Sequence, residues 1–374
     1  MESDMEMQPN STPKIVIVGA GFAGASTAWW LRHYGEKDVL ILEREPAAGL
    51  KSSGQNAAMA RQATNDPFIS RLLVEGVRFM AAPPKGFSRR PILRRAGSAL
   101  MGSEAQVQKM AAVLKSVLPG DEFRIGSVND IGPIPYLANV RAPAVLLTRT
   151  DGFIDLESLL AGFLSEAGVL TSCAWISANR EPDGWSLATS RGKIRCSILV
   201  IASGANASAC AGSAGAGAIP LRPTTRHLFQ SESRNEFLRE APFVWDIAAE
   251  CYARPDGSGR LLLSACDQDP YDPATALLPD ARMPAILREK LSRAFPSLAR
   301  VRFHRYWPGT RTLTSDGRFV IGPDPKIETL FWVAGLGGHG VTTAPAVGRI
   351  AAESILGLKS PPQELSCGRF FQAW

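Results

Sequence analysis

The chain has 374 residues and a formal net charge of +6, with 45% hydrophobic and 20% charged residues. These proportions are those of an ordinary soluble protein, and the length allows two domains or one large interleaved unit. The mildly basic charge is compatible with an anionic cofactor, an anionic substrate or a membrane surface, and no nucleic-acid partner is expected from it.

The cysteines and the first residues exclude several further classes. No two of the six cysteines form a C-x-x-C pair, and they do not cluster with the four histidines, so neither a metal site nor a disulfide framework is expected. Scattered single thiols are typical of a reducing compartment, which predicts a cytoplasmic protein. Residues 1–13 lack the basic start and apolar run of a secretory signal, so we expect a disordered tail.

The strongest local signal lies between residues 14 and 43. Residues 14–19 (KIVIVG) form a short β-branched apolar run, which predicts a buried parallel strand. A G-x-G-x-x-G motif over residues 19–24 opens a helix-compatible stretch that ends at Gly35. A second predicted strand over residues 39–43 ends in an acidic residue, Glu43.

Each position of this motif has a physical role in binding a dinucleotide. Gly19 allows a tight turn, Gly21 lets the backbone approach a pyrophosphate, and Gly24 lets the helix pack against the strand. Free N–H groups at the helix N-terminus favour phosphates. Glu43, 19 residues after Gly24, is placed to accept hydrogen bonds from the adenosine ribose, and its charge disfavours the 2′-phosphate of NADP.

Helix periodicity, caps and turn residues predict the remaining elements. A Pro-rich basic connector at 82–96 is the expected domain crossing, and a helix is predicted over 104–118. A second helix is predicted over 155–167, with Asp155 as N-cap and Gly168 as stop, followed by short strands within 169–193 and a buried strand over 197–205. The remaining segments are a small-residue stretch over 206–218 with a loop in its later part, a β-rich region over 226–283 and a helix over 284–295. Near the end, a strand over 330–334 leads through residues 335–340 (GLGGHG) to a helix over 346–356, which makes a second glycine-rich strand-to-helix junction.

Together these segments resemble the D-amino-acid oxidase-like FAD oxidoreductases, the group of glycine oxidase, sarcosine oxidase and the bacterial D-amino-acid dehydrogenases. The resemblance covers about residues 14–358 and is most similar to the D-arginine dehydrogenase subgroup. The motifs that carry it are 18–24 (VGAGFAG), 42–43 (LE), 52–57 (SSGQNA), 151–155 (DGFID), 200–205 (VIASGA), 307–311 (WPGTR) with 316–317 (DG), and 337–340 (GGHG).

The resemblance implies an α/β fold in which a Rossmann-type FAD-binding domain is interleaved with a β-rich substrate-binding domain. The implied FAD-binding segments are residues 14–82, 150–222 and 310–358, the substrate-binding segments are 83–149 and 223–309, and 359–374 form a C-terminal tail. No cysteine is near Arg311 in the sequence, so noncovalent FAD is expected. The implied FAD contacts are Gly19, Gly21, Phe22, Ala23, Gly24, Glu43, Arg44, Ser52, Ser53, Gln55, Asn56, Ala57, Ala202, Gly204, Gly337, Gly338, His339, Gly340 and Val341.

By the same resemblance, Arg226, Tyr252 and Arg311 grip the carboxylate of an amino-acid substrate. Two guanidiniums and a phenol are suitable donors for a carboxylate in a dry pocket. Arg61 matches a carboxylate-binding position of sarcosine oxidases and adds a third positive group, with pairing to Asp66 or exposure to solvent as the alternative. His339 lies beside the flavin by resemblance, with packing or a hydrogen bond in the glycine turn as its expected role, and no general base is expected.

The implied reaction is oxidative deamination, in which a hydride passes to flavin N5 and the resulting imine hydrolyses to a keto acid. Ser98 stands where the D-arginine enzyme places an acid, so a different substrate is expected. Leu262 stands where sarcosine oxidases place an oxygen-activating lysine, which favours a dehydrogenase with a quinone as acceptor and peripheral contact with the inner membrane face. Two alternatives stay open: the flavin-bearing subunit of a hetero-oligomeric amine or opine oxidase, and an NAD-dependent Rossmann dehydrogenase, against which the second glycine-rich junction argues.

Overall fold

The computed structural model describes residues 12–371, and its chain forms two large β-sheets and two small ones. The strands are β1 (Ile15–Val18), β2 (Val39–Leu42), β3 (Met59–Ala60), β4 (Leu93–Arg95), β5 (Ser98–Gly102), β6 (Phe123–Gly126), β7 (Ala144–Thr148), β8 (Gly152–Ile154), β9 (Gly168–Leu170), β10 (Trp175–Glu181), β11 (Gly184–Thr189), β12 (Gly192–Cys196), β13 (Ile198–Ile201), β14 (Arg222–Ser231), β15 (Phe243–Asp246), β16 (Cys251–Pro255), β17 (Leu261–Ser264), β18 (Phe303–Leu313), β19 (Val320–Pro323) and β20 (Leu330–Ala334). The α-helices are α1 (Phe22–His33), α2 (Pro67–Ala81), α3 (Glu104–Lys115), α4 (Leu156–Leu164), α5 (Ala207–Ser213), α6 (Met283–Ala294) and α7 (Ala344–Ile355).

The first large sheet has six strands in the order β19-β20-β13-β1-β2-β9 and is parallel except for β19. Its central strand β1 is buried on both faces, which explains the β-branched run of its sequence. Ile15 and Ile17 belong to the core beneath the helices, whereas Val16 and Val18 belong to the core on the opposite face. The carboxyl ends of β1 and β20 therefore bring both glycine-rich junctions to one edge of this sheet.

The second large sheet has eight strands in the order β18-β14-β17-β16-β15-β5-β7-β6. Cys251 and Ala253 of β16 face the hydrophobic core that includes α6, so Tyr252 between them points to the opposite face. The long strands β14 and β18 are antiparallel and place Arg226 opposite Gly309 and Thr224 opposite Arg311. Arg226 and Arg311 therefore lie on neighbouring strands, and Tyr252 lies on the same sheet, with β17 between its strand and β14.

Several predicted boundaries differ from the structure. Helix α4 begins after Asp155, which accepts a hydrogen bond from Ser158 N, but it ends at Leu164, and Gly168 opens β9 instead of stopping the helix. Gly168 continues as a strand because β9 pairs with β2 at the edge of the sheet. The earlier part of the small-residue stretch forms α5, whose Cys210 packs into the adjoining core.

Two further regions differ from the prediction: one helix was not predicted, and one packed segment was expected to be a tail. Helix α2 was not predicted, although Asp66 caps its first N–H groups and Pro67 occupies its first turn, a recognisable start signal. Residues 359–371, expected as a tail, pack against the six-stranded sheet, with Leu365 and Cys367 fully buried. Their apolar side chains account for this packing. The domain boundaries stay a prediction.

All six cysteines are buried and none forms a disulfide. Within residues 12–371 no helix is long and apolar enough to span a membrane.

Candidate active site

The turn between β1 and α1 is shaped for a phosphate group. Gly19 has a φ of +109°, which favours glycine, and a Cβ placed there would lie 2.6 Å from the Ala202 carbonyl oxygen. A Cβ at Gly21 would lie 2.9 Å from Ser53 Oγ, and one at Gly24 would overlap the Gly19 carbonyl oxygen. Helix α1 has no side-chain cap and no acid in its first turn, so its positive end is left for an anion. These features fit the pyrophosphate of FAD.

A loop over residues 51–57 covers this turn. Phe22 N donates to Ser53 Oγ at 3.0 Å, and Ser52 Oγ lies 2.6 Å from Thr310 Oγ1 on β18. Asn56 is used within the loop itself, because its Oδ1 accepts from Ala58 N at 2.7 Å. Gln55 Oε1 is buried without a hydrogen-bond partner, which leaves an acceptor for a bound ligand.

The end of β2 braces the glycine turn. Glu43 accepts hydrogen bonds from Ala20 N at 2.9 Å and from Glu45 N at 3.0 Å, and each of its carboxylate oxygens keeps a free lone pair for a ribose hydroxyl. Arg44 points outward, with its side chain 45% exposed and its Nε 3.0 Å from Glu45 Oε1. Its contact with FAD stays a prediction.

The strand β13 approaches the same turn from its other neighbour. Ala202 contacts Gly19, as described above, and Ser203 Oγ is buried without a partner. Gly204 follows with a φ of +57°. Backbone therefore approaches the first glycine turn from both strands that flank β1.

The second glycine-rich turn connects β20 to α7 and contacts both β18 and the hydrophobic cluster around α1. Gly337 N donates to the Thr312 carbonyl at 2.9 Å, and a Cβ at Gly338 would lie 2.6 Å from Arg311 Nη1. Gly340 packs against Leu336, and Val341 packs against the core that contains Phe22 and Ala25 of α1. The two glycine turns are thus linked through one hydrophobic cluster.

Three guanidinium groups converge beside this turn. Arg226 is 5% exposed; its Nε donates to the Asp267 carbonyl at 2.8 Å, while its Nη1 is buried with no partner. Arg311 lies over Gly338, and neither it nor Arg61 forms a salt bridge with any residue between 12 and 371. The charges of all three arginines interact with one another.

The wall next to the arginines is aromatic and apolar. Tyr252 is fully buried, and its hydroxyl has no hydrogen-bond partner. Trp245 packs against it at 5.0 Å between ring centroids, and the Arg61 guanidinium lies 4.3 Å from the centre of the Trp245 ring. Tyr252 also packs in one cluster with Ala57, Met59, Leu228, Cys266 and Trp307.

Burial and the positive charges shift the pKa of several titratable groups in this space. Burial, together with repulsion from Arg226 and Arg61, lowers the pKa of Arg311 to about 10. Burial also lowers the pKa of Arg61, although the charge of Asp151 opposes the change. Burial and the charges of Arg61 and Arg311 lower the pKa of His339 to about 3, so this imidazole is neutral at neutral pH.

Asp151 is a fully buried carboxylate near Arg61. It accepts hydrogen bonds from Ser98 Oγ at 2.6 Å and from Gln62 Nε2 at 2.8 Å and Gln62 N at 3.1 Å. Burial raises its pKa to about 6, against the effect of these hydrogen bonds and of the Arg61 charge. Ser98 therefore supports Asp151 and does not present a free hydroxyl to the substrate.

The structure thus brings together all five side chains expected at the reaction site. Of the alternatives for Arg61, pairing with Asp66 does not occur, because Asp66 pairs with Arg318 at 2.7 Å. Arg61 itself is half-buried, with its guanidinium stacked on Trp245. Cys266 was missed: it is remote from Arg311 in sequence, but it packs in the same cluster as Tyr252, and burial raises the pKa of its thiol. It has a left-handed φ of 52°, which no sequence signal predicts for a cysteine.

Comparison with known proteins places this chain among flavoproteins. The family described as FAD dependent oxidoreductase (DAO) matches residues 14–354. The chain is similar to 4-methylaminobutanoate oxidase (formaldehyde-forming) of Paenarthrobacter nicotinovorans, with 25% identity over 92% of this chain but only 43% of that longer protein. It is also similar to sarcosine oxidase subunit beta of Rhizobium meliloti, with 27% identity over 91% of this chain and 84% of that one. The crystal structure of L-proline dehydrogenase from P. horikoshii superimposes with a TM-score of 0.85 at 21% identity, covering 96% of this chain and 98% of that chain.

Proposed function

Because this chain belongs to the DAO family of FAD-dependent oxidoreductases, we propose that it oxidises the amine of a small amino acid, of the D-amino-acid or the glycine and N-methyl type. The cofactor of this family is FAD, so the nicotinamide alternative is set aside. When bound, FAD would supply the two-electron acceptor for the hydride of the substrate C–H bond, and the imine product would take up water to give a keto acid and ammonia or an amine. The attachment of FAD without a covalent bond is part of the proposal.

One observation carries the proposal: buried donors with no partner meet beside the second glycine turn. Arg226 Nη1 and the Tyr252 hydroxyl are unpaired, and Arg311 lies close enough for its charge to act on both. Unpaired buried donors are costly, so a carboxylate that accepts from them is strongly favoured. A carboxylate held at two strands, β14 and β18, fixes the orientation of the rest of a small substrate.

The same residues also govern the protonation of the substrate. Three nearby guanidiniums disfavour a substrate ammonium, so the amine binds in its neutral form and needs no base to remove a proton. His339, with its pKa lowered to about 3, is a poor proton acceptor. Its carbonyl accepts from Thr343 N at 3.0 Å, which supports a structural role at the start of α7.

The substitution Arg311→Met tests the carboxylate clamp. It keeps the bulk over Gly338 but removes a charge-assisted donor worth about 1.5–3 kcal/mol, so kcat/KM for the amino acid should fall roughly 10- to 150-fold. The flavin should stay bound, and replacing the substrate carboxylate by an amide should reproduce the loss. A near-wild-type kcat/KM, measured by anaerobic flavin bleaching, would leave a simple amine as substrate.

For the electron acceptor we propose a quinone or another carrier, which makes the enzyme a dehydrogenase in the cytoplasm or at the inner membrane face. The support is Leu262, a buried apolar residue of β17 that aligns with Arg254 of β16, because leucine offers no charge to activate oxygen. The reduced flavin should reoxidise slowly in air-saturated buffer and rapidly with a quinone analogue. Stoichiometric hydrogen peroxide within one turnover in air would show an oxidase instead.

A second candidate is the flavin-bearing subunit of a hetero-oligomeric amine or opine oxidase. The similarity to sarcosine oxidase subunit beta, a protein whose name states that it is one subunit, favours it. This candidate is excluded if the purified chain alone reduces its flavin with an amino acid. It is supported if activity appears only when co-purifying proteins are added.

A further inference from the structure

Arg226 has an acidic residue beside it, Asp267, with whose carboxylate it does not pair. We infer that His227 is a positioning residue that holds the Asp267 carboxylate away from Arg226, so that the free N–H groups of Arg226 are kept for the substrate. This inference rests on the proposed function, because it takes Arg226 as a ligand of the substrate carboxylate.

Asp267 contacts Arg226 through its backbone and not through its carboxylate. Arg226 Nε donates to the Asp267 carbonyl at 2.8 Å, whereas the two side chains form no salt bridge with each other. Arg226 Nη1 is buried without a partner. A carboxylate this close to a buried guanidinium would ordinarily pair with it, because charge-assisted hydrogen bonds are strong where water is excluded. Another contact must therefore hold the Asp267 carboxylate.

His227 provides that contact. Asp267 Oδ2 lies 2.7 Å from His227 Nδ1, and Asp267 Oδ1 accepts from His227 N at 2.8 Å. Thr225 Oγ1 adds a longer hydrogen bond to Oδ2 at 3.4 Å. Burial opposes the ionisation of Asp267, but the hydrogen bonds from His227, together with the charge of Arg226, lower its pKa below the ordinary aspartate value. Asp267 is therefore charged at neutral pH and, if released, would compete with a substrate anion for Arg226.

A further hydrogen bond fixes the imidazole in the form that this role requires. Asp280 N donates to His227 Nε2 at 3.0 Å, so Nε2 carries no proton and Nδ1 carries the proton that is donated to Asp267. The His227 side chain is only 2% exposed. His227 follows Arg226 on β14, and neighbouring residues of a strand point to opposite faces of the sheet. The imidazole thus holds the carboxylate from the face of β14 opposite the guanidinium.

Anion binding to the flavin-loaded protein tests the inference. The probe is methoxyacetate, a small unreactive carboxylate, and its Kd is measured from the change in the flavin spectrum. His227→Gln places an amide toward Asp280 N but has no donor at the position of Nδ1. The released Asp267 carboxylate should then pair with Arg226, so methoxyacetate should bind roughly 10- to 150-fold more weakly, the effect of one hydrogen bond to a charged group.

Two rescue variants separate this role from a purely structural one. His227→Asn places an amide N–H close to the position of Nδ1, so it should keep the wild-type Kd. The double variant of His227→Gln with Asp267→Asn removes the competing charge, so it should regain most of the lost affinity, whereas a structural role predicts a further loss. His304→Gln, which changes an exposed histidine of β18, is the control and should leave the Kd unchanged.

A single variant keeps the test decisive if His227→Gln does not fold. Asp267→Asn removes the carboxylate but leaves the backbone carbonyl that accepts from Arg226 Nε. We expect it to bind methoxyacetate at least as tightly as the wild type does. A weaker affinity in this variant would mean that the carboxylate supports Arg226 instead of competing for it, and would overturn the inference.

The possible failures are distinguishable. An unchanged Kd in His227→Gln, or a loss that Asp267→Asn does not reverse, overturns the role of His227 and leaves the proposed function standing. If the wild type neither binds methoxyacetate nor is bleached by any amino acid, the proposed function fails. The NMR signal of the Arg226 Nε–H group in isotope-labelled protein, identified by its loss in Arg226→Met, then still tests His227. It should move in His227→Gln and return in the double variant, and a signal that stays in place overturns the inference.

Discussion

At the scale of single residues, Asp151 gives the clearest prediction, although no catalytic role is proposed for it. Asp151 is a fully buried acid whose hydrogen bonds to Ser98 and Gln62 join β8 and β5 to the segment that carries Arg61. Burial raises its pKa to about 6, above the ordinary aspartate value. Between these two values the folded protein binds more protons than the unfolded chain, so the free energy of unfolding decreases as the pH rises through about 6.

The substitution Asp151→Asn removes this titration while keeping the shape and most hydrogen bonds. We therefore expect the difference in Tm, variant minus wild type, to increase between pH 5 and pH 7.5 when both proteins are measured with FAD bound. Asp183→Asn, in the exposed hairpin turn between β10 and β11, is the surface control. A difference in Tm that stays constant over this pH range would mean that Asp151 does not titrate there.

The residue scale also shows what the sequence could predict about the site. Arg226, Arg311 and Arg61 were predicted as carboxylate ligands from the family resemblance, and this role stays a prediction. Arg61, Trp245 and Cys266 come together only through contacts between distant segments, and no local spacing encodes such contacts. The stacking of Arg61 on Trp245 was therefore beyond prediction from the sequence.

At the scale of elements, the contact between α2 and α7 controls the second glycine turn. Gly76 of α2 lies against the Thr342 carbonyl, and a Cβ there would overlap it. An ion pair supports the contact: Arg349 Nε lies 2.8 Å from Glu75 Oε1, and the same guanidinium reaches Glu353. Helix α2 thus packs against the backbone between Gly337 and α7, at Thr342.

The substitution Gly76→Ala should separate helix propensity from this contact. Alanine in a helix interior is ordinarily more stable than glycine by about 1 kcal/mol, but here its methyl group must push α2 away from Thr342. We expect a lower Tm and a reduced ratio of bound flavin to protein. Gly212→Ala in α5, where nothing lies within 4 Å of the added methyl, is the control and should be neutral or stabilising. Unchanged flavin content in Gly76→Ala would show that the second glycine turn tolerates the shift.

Prediction of elements succeeded where local signals agree with long-range pairing. Strands β1, β2 and β20 and helices α1, α3, α6 and α7 were predicted from apolar runs, periodicity and glycine stops, with ends shifted by a few residues. Strand β18 was not predicted, because Pro308 and Gly309 in its middle are typical of a turn. They are kept extended by pairing with β14, where His227 lies opposite Pro308.

At the scale of the whole molecule, the two sheets are built from alternating parts of the chain. The six-stranded sheet takes its strands from residues 15–42, 168–201 and 320–334, and the eight-stranded sheet takes its strands from 98–148 and 222–313. A Rossmann pattern and a β-rich pattern can each be recognised from sequence, but composition does not encode which strands are neighbours. The order within the eight-stranded sheet, with β5 parallel to β15, could only be learned from the structure.

This alternation determines when the site can exist during synthesis of the protein. The strand that carries the first glycine motif pairs with residues 198–201, and these pair in turn with residues 330–332, so the N-terminal motif waits for segments that the ribosome makes much later. At about 5–20 residues per second, that delay is on the order of tens of seconds. After residue 201 is made, β1 and β2 have their neighbours, but β13 lacks its partner β20 and the second glycine turn does not yet exist. A ribosome that stalls before residue 330 therefore yields a chain that has the first glycine motif but lacks β20 and the second glycine turn.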